Sequence, residues 1–164
     1  RGHNWNLIMT APVRPFALYA AKFCAMAKMA FLTQGWLLVL FLVGGKLGAG
    51  LAGFPPPEIL LWLLRGAVGG LPIIAIQLLL SMVIRNFALP VLMALGGSIL
   101  GLTATTSNAG LFWPYSLMLM GMNSNRTEDV MTGQLPGFFL SCIIFLAIFL
   151  LIADVVLAKQ DVKA

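Results

Sequence analysis

Long apolar runs separated by short polar or glycine- and proline-rich breaks set the pattern of this chain. A helix that crosses a bilayer needs about 20 mostly apolar residues, and four segments reach that length, at about 17–43, 58–83, 87–103 and 137–157. The pattern predicts an all-α integral membrane protein with four transmembrane helices. Lys22 and Lys28 stand early in the first span, where their stems can lie along apolar surface while the ammonium groups stay wet. From Gly44-Gly45-Lys46 to Pro55-Pro56-Pro57 the pattern breaks into a loop, and the three prolines forbid a helix before Glu58. Gly66, Gly69, Gly70 and Pro72 interrupt the second span, which predicts a kinked helix packed against protein rather than facing lipid alone. The third span has Pro90 near its start and Gly97-x-x-x-Gly101, a spacing that lets two helix backbones approach closely.

Between the third and fourth spans the chain is polar, then apolar, then polar again. Its apolar piece, 111–122, is about twelve residues long, too short to cross, and carries Trp113, Tyr115 and several methionines. Such a piece fits a short re-entrant or interfacial helix. At the other end of the chain, Trp5, Ile8 and Met9 fall at i, i+3 and i+4, so a turn or two of helix gathers them on one side and leaves Asn4, Asn6 and Thr10 for water. Pro12 stops that helix and Pro15 sits where a new one can start. Residues 1–15 read as a small amphipathic helix at a membrane face.

Composition sharpens this. Apolar residues make up 60% and charged residues 9%, against roughly a quarter charged in soluble domains, and mean hydropathy is +0.99. Ten basic residues outnumber five acidic ones, but they are dispersed at helix ends, so they report orientation rather than a nucleic-acid partner. Arg1, Arg14, Lys22, Lys28, Arg85, Lys159 and Lys163 fall on one side of a four-span topology, which predicts a cytoplasmic side there, and Lys46, Arg65 and Arg126 lie outside or near it. The acids Glu58, Glu128 and Asp129 then lie outside. Cys24 and Cys142 fall near opposite faces of the bilayer, which argues against a disulfide between them. The chain opens on Arg1 with cytoplasmic-looking sequence, so a fragment lacking its N-terminal part is the expectation, a single transmembrane domain over 1–164.

Two stretches resemble a known family. The pattern Trp5-x-Leu7-Ile8-x-x-Ala11-Pro12-Val13-x-Pro15, with Lys22 downstream, resembles the cytoplasmic coupling region of ABC-2 type transporter permeases, especially the lantibiotic-immunity branch. Arg65-Gly66-x-x-Gly69-Gly70-Leu71-Pro72-Ile73-Ile74-Ala75-Ile76-Gln77, running to Ser81 and Arg85-Asn86-Phe87, resembles the fourth helix and following loop of that branch. The resemblance implies a fragment of a six-helix permease, with a cytoplasmic coupling helix and an extracellular re-entrant element between the fifth and sixth helices. It implies that Trp5, Leu7, Ile8, Met9, Pro12, Val13 and Arg14 dock on an ABC ATPase subunit, and that a second permease subunit, identical or not, completes the transporter in a bacterial inner or plasma membrane. The activity implied is export of lantibiotic-like peptides or other amphipathic antibiotics.

No catalytic constellation is visible in the residues themselves. Gly44-Gly45-Lys46 lacks the glycine four residues before its Gly-Lys pair and the Ser or Thr after it that a phosphate loop needs, since Leu40 and Leu47 stand there. ATP chemistry must then come from a partner. His3 is the sole histidine and no metal-ligand spacing occurs, so neither a metal nor another cofactor is expected. Arg65 falls about two turns into the second span, roughly 10 Å from Glu58 at 1.5 Å per residue. It reads either as a functional intramembrane charge or as a side chain reaching the outer head groups. Gln77 reads as a packing residue that bonds a neighbouring helix or as part of a substrate path or gate with Arg65, and Asp154 as hydrated or paired locally with Lys159. Trp113, Tyr115 and Met118 belong either to a substrate path or gate or to an interfacial belt. The other classes open to this sequence are a non-transporting binding, immunity or scaffold protein, and more distantly an intramembrane enzyme.

Overall fold

The computed structural model describes residues 14–50, 52–107, 109–124, 126 and 128–160. The expected coupling helix, with Trp5, Leu7, Ile8, Met9, Pro12 and Val13, lies outside the described residues. Arg14 is exposed and precedes α1 (Pro15–Val43), which starts on proline as expected and continues through a π turn, Gly44–Gly48. The sequence pattern breaks at Gly44, yet the helical path runs on to Gly48. The chain then bends at Gly50, with φ +62°, and Lys46 donates to the Ala52 carbonyl at 3.1 Å while lying 4.4 Å over the Phe54 ring.

After the prolines come α2 (Glu58–Val83), α3 (Ala88–Thr106), a 3-10 turn at Gly110–Phe112, the short α4 (Pro114–Gly121) and α5 (Leu135–Gln160). All four long helices, with α1 counted through its π turn, are long and apolar enough to cross a membrane. The helix α3 runs past its expected end at 103 to Thr106, and the hydroxyls of Thr103, Thr105 and Thr106 each donate back to a carbonyl three residues earlier, at 2.7–2.9 Å. The helix α5 starts two residues early because Pro136 fits the first turn, where its missing N–H costs no bond.

Two apolar clusters hold the bundle, one near each end. Tyr19 from α1, Leu78 and Leu79 from α2 and Ala153 and Leu157 from α5 pack at the end that carries Arg14 and Lys159. There the Tyr19 hydroxyl donates to the Ala75 carbonyl at 2.8 Å. At the other end Leu117 and Met120 of α4, Met131, and Phe138 and Cys142 of α5 form the second cluster. Large apolar side chains such as Trp36, Leu92 and Ile143 are exposed over much of α1, α3 and α5, as a bundle surrounded by lipid or by other helices requires.

Candidate functional site

The short helix α4 is the element around which the polar side chains gather. It does not lie on the bundle as a belt. Pro114, Tyr115, Ser116, Leu117, Met120 and Gly121 are buried, and of its larger apolar side chains only Met118 turns outward, next to the exposed Phe112 of the entry turn. Two glycine surfaces admit it. A Cβ at Gly69 of α2 would stand 2.5 Å from the Leu117 carbonyl oxygen, closer than any real contact, so α2 and the backbone of α4 touch directly. On the opposite side a Cβ at Gly97 of α3 would meet the Tyr115 ring at 2.7 Å. The Gly97-x-x-x-Gly101 spacing thus receives this half-helix, and not a second spanning helix.

Side-chain hydrogen bonds fix the wedge. Gln77 of α2 donates to the Tyr115 hydroxyl at 2.5 Å, and the Trp113 indole donates to the Gly97 carbonyl at 2.9 Å. The Ser116 hydroxyl bonds the carbonyls of Gly110 and Trp113, which ties α4 to its own entry turn.

Arg65 stands on α2 facing the loop that follows α4. Its side chain is buried in the protein, only 2% exposed. The guanidinium donates to Asp129 at 2.7 Å and 3.3 Å, a two-point contact with the fork geometry that suits a carboxylate. Trp62, one turn earlier on the same face of α2, donates its indole N–H to the same carboxylate at 3.3 Å, and the Met131 backbone N–H donates at 2.9 Å. With Arg65 beside it and these N–H groups around it, the Asp129 carboxyl is held below its ordinary value of 3.8, although partial burial opposes the shift. The segment after α4 is therefore clasped to α2 through Asp129.

Asn123 shapes the turn that leads there. It holds φ +51°, is 5% exposed, and its Oδ1 accepts the Val130 N–H at 3.1 Å, so 123–130 closes into a loop. Arg126 crosses from this loop to donate to the Thr105 carbonyl at 2.7 Å, strapping it to the end of α3. A cavity of about 800 Å³ opens between the end of α3, Leu119 and Met120 of α4, and Asn123, Glu128 and Val130.

The expected site residues fall into separate groups. Arg65, Gln77, Trp113 and Tyr115 all bear on α4 or its following loop, whereas Met118 faces outward and the coupling residues other than Arg14 lie outside the described part. Asp154 is exposed near the opposite end of the bundle. Trp62, Asp129, Asn123 and Gln34 were not anticipated. Asp129 had a signal, since a buried arginine needs a carboxylate and only a few acids stand on that side. Trp62 had the i, i+3 spacing to Arg65.

Four helices long and apolar enough to cross a membrane, three of which (α2, α3 and α5) hold the short α4 between them, make a multi-pass membrane bundle. Residues 1–101 match the family model described as ABC-2 family transporter protein, and the chain belongs to that family. It is therefore the membrane component of an ABC transporter, and ATP hydrolysis falls to a partner ATPase subunit. No curated protein and no solved structure matches the chain.

Proposed function

We propose that this chain is a permease subunit of an ABC exporter that moves lantibiotic-like peptides or other amphipathic antibiotics, and that α4 with its following loop is the outer gate. The observation that supports a gate is the wedge of α4 between α2 and α3, clasped by Asp129 on Arg65. A bare apolar interface in lipid has little reason to open and close. A half-helix held by one ion pair and a few hydrogen bonds has discrete contacts to break.

The mechanism follows from the placement of the parts. ATP binding closes two ATPase subunits, which push on the segment around Trp5 to Arg14. Because α1 begins at Pro15, a push there tilts α1, and α1 packs on α2 along the length that carries Arg65 and Gln77. Movement of α2 relative to α4 strains the Arg65–Asp129 and Gln77–Tyr115 contacts and frees the half-helix. Nucleotide favours this arrangement only to the extent that the ATPase binds the open form of the bundle better. A second permease subunit completes the path, in a bacterial plasma membrane.

The test is protection of a lantibiotic-sensitive strain by the full-length permease and its ATPase. Protection that disappears with a hydrolysis-dead ATPase supports export. Protection that persists without hydrolysis replaces export with sequestration by a membrane binding protein.

A further inference from the structure

Two buried atoms near the clasp have no partner. Arg65 uses its two terminal nitrogens on Asp129, but its Nε donor is unpaired. Gln34, in the middle of α1, is 6% exposed, and its Oε1 acceptor is unpaired. Its Nε2 takes the Met122 sulfur at 3.5 Å, which fixes the orientation of the amide, because sulfur is a weak acceptor that cannot serve the oxygen. Gln34 lies against α2 at the residue after Arg65. A Cβ at Gly66 would stand 3.3 Å from Gln34 Nε2. Gln34, whose Oε1 is an orphan acceptor, thus packs on α2 one residue along from Arg65, whose Nε is an orphan donor.

A buried polar group without a partner costs free energy, and a guanidinium stranded without an anion costs more. If the loop of Asp129 departs, Arg65 stays behind on α2 in an apolar surrounding. We infer that Gln34 is the positioning residue that receives it. When α4 and its loop leave, Met122 goes with them and releases the Gln34 amide. The freed amide turns its Oε1 to the Arg65 guanidinium. Gln34 is then a standby acceptor that lowers the cost of the open state and leaves the closed clasp untouched. The inference rests on the gate reading above.

Native Cys142 reports on the opening, because it is 4% exposed beneath Leu117, Met120 and Met131. The experiment uses the full-length permease with its ATPase, Cys24→Ala to remove the exposed thiol, and N-ethylmaleimide as the probe. Labelling of Cys142 is measured without nucleotide and with ATP trapped on a hydrolysis-dead ATPase. Gln34→Met keeps the side-chain length and deletes the acceptor. It is expected to lower Cys142 labelling about tenfold, one unsatisfied buried hydrogen bond in the open state, in the nucleotide-free protein and by up to the same factor with ATP. Gln34→Glu supplies a carboxylate that competes with Asp129, and it is expected to raise nucleotide-free labelling about tenfold.

A residue that merely packs would move labelling in the same direction for both variants, not down for Gln34→Met and up for Gln34→Glu. That result overturns the role of Gln34 while the gate reading stands, provided Asp129→Asn still raises labelling. If ATP leaves Cys142 labelling unchanged with Gln34 intact, the gate reading falls and the standby role falls with it.

Discussion

Replacing Asp129 by asparagine keeps the shape of the side chain and removes its charge, which leaves the Arg65 guanidinium, 2% exposed, facing a neutral amide. Breaking a buried pair on one side costs about 3–5 kcal/mol, because the remaining charge stays desolvated. Asp129 is 28% exposed, so water makes good part of the loss and the lower end, about 3 kcal/mol, applies. The cost falls on the closed position of α4 and its following loop, since Arg65 stays on α2 while Asp129 travels with the loop. At 1.4 kcal/mol per factor of ten, the open fraction rises about a hundredfold. Cys142 alkylation in the Cys24→Ala background reads that fraction directly, when opening and closing are fast relative to labelling. Arg65→Met is expected to act in the same direction by leaving Asp129 without its counter-charge. The double variant removes both charges, and apolar replacement of a buried pair is often nearly neutral, so its labelling returns to within about tenfold of the starting protein. Two single effects that simply add in the double variant would refute the reasoning, because an energetic clasp requires coupling between its halves.

Other outcomes follow from the same contacts. Gly69→Ala forces a Cβ onto the Leu117 carbonyl, an overpacking of about 1–3 kcal/mol that raises Cys142 labelling ten- to a hundredfold, whereas Gly96→Ala, with nothing within 4 Å, changes nothing. Tyr115→Phe deletes the hydroxyl that accepts from Gln77 at 2.5 Å, and labelling rises by less than tenfold, in keeping with about 1 kcal/mol for a hydrogen bond between membrane helices. With Trp62 as the sole tryptophan, its emission stays constant from neutral pH down to about pH 4 and shifts only further down. The Asp129 carboxyl is held below 3.8, so its contribution is complete above that value and is lost as pH falls through the lower folded value.

The spanning helices were legible because apolar length is nearly the whole requirement for crossing a bilayer. The short piece 111–122 was legible as something that does not cross, but its position was not. Whether it lies on the bundle or inside it is decided by Gly69 and Gly97, which stand 28 residues apart in sequence and become two walls of one slot only after α2 and α3 are placed. Arg65 announced itself by its cost. Its partner was one of the outer acids Glu58, Glu128 and Asp129, but which of them pairs was not legible, because Asp129 is brought to α2 by a loop that begins in the left-handed turn at Asn123. Gln34 carries no signal in the sequence, and its meaning depends on an unpaired oxygen that only the packed structure exposes. The family match ends at residue 101, so the half-helix and the clasp partner Asp129 rest on packing and not on the matched pattern.

The central claim is that an ATPase drives this bundle through the segment that precedes α1. Single cysteines at Leu7 or Met9 of the full-length permease, expressed with its ATPase, test it most directly by cross-linking. The account predicts a cross-link between the two subunits whose yield changes on ATP binding. An ATPase that co-purifies yet forms no cross-link from either position would contradict the coupling role of that segment.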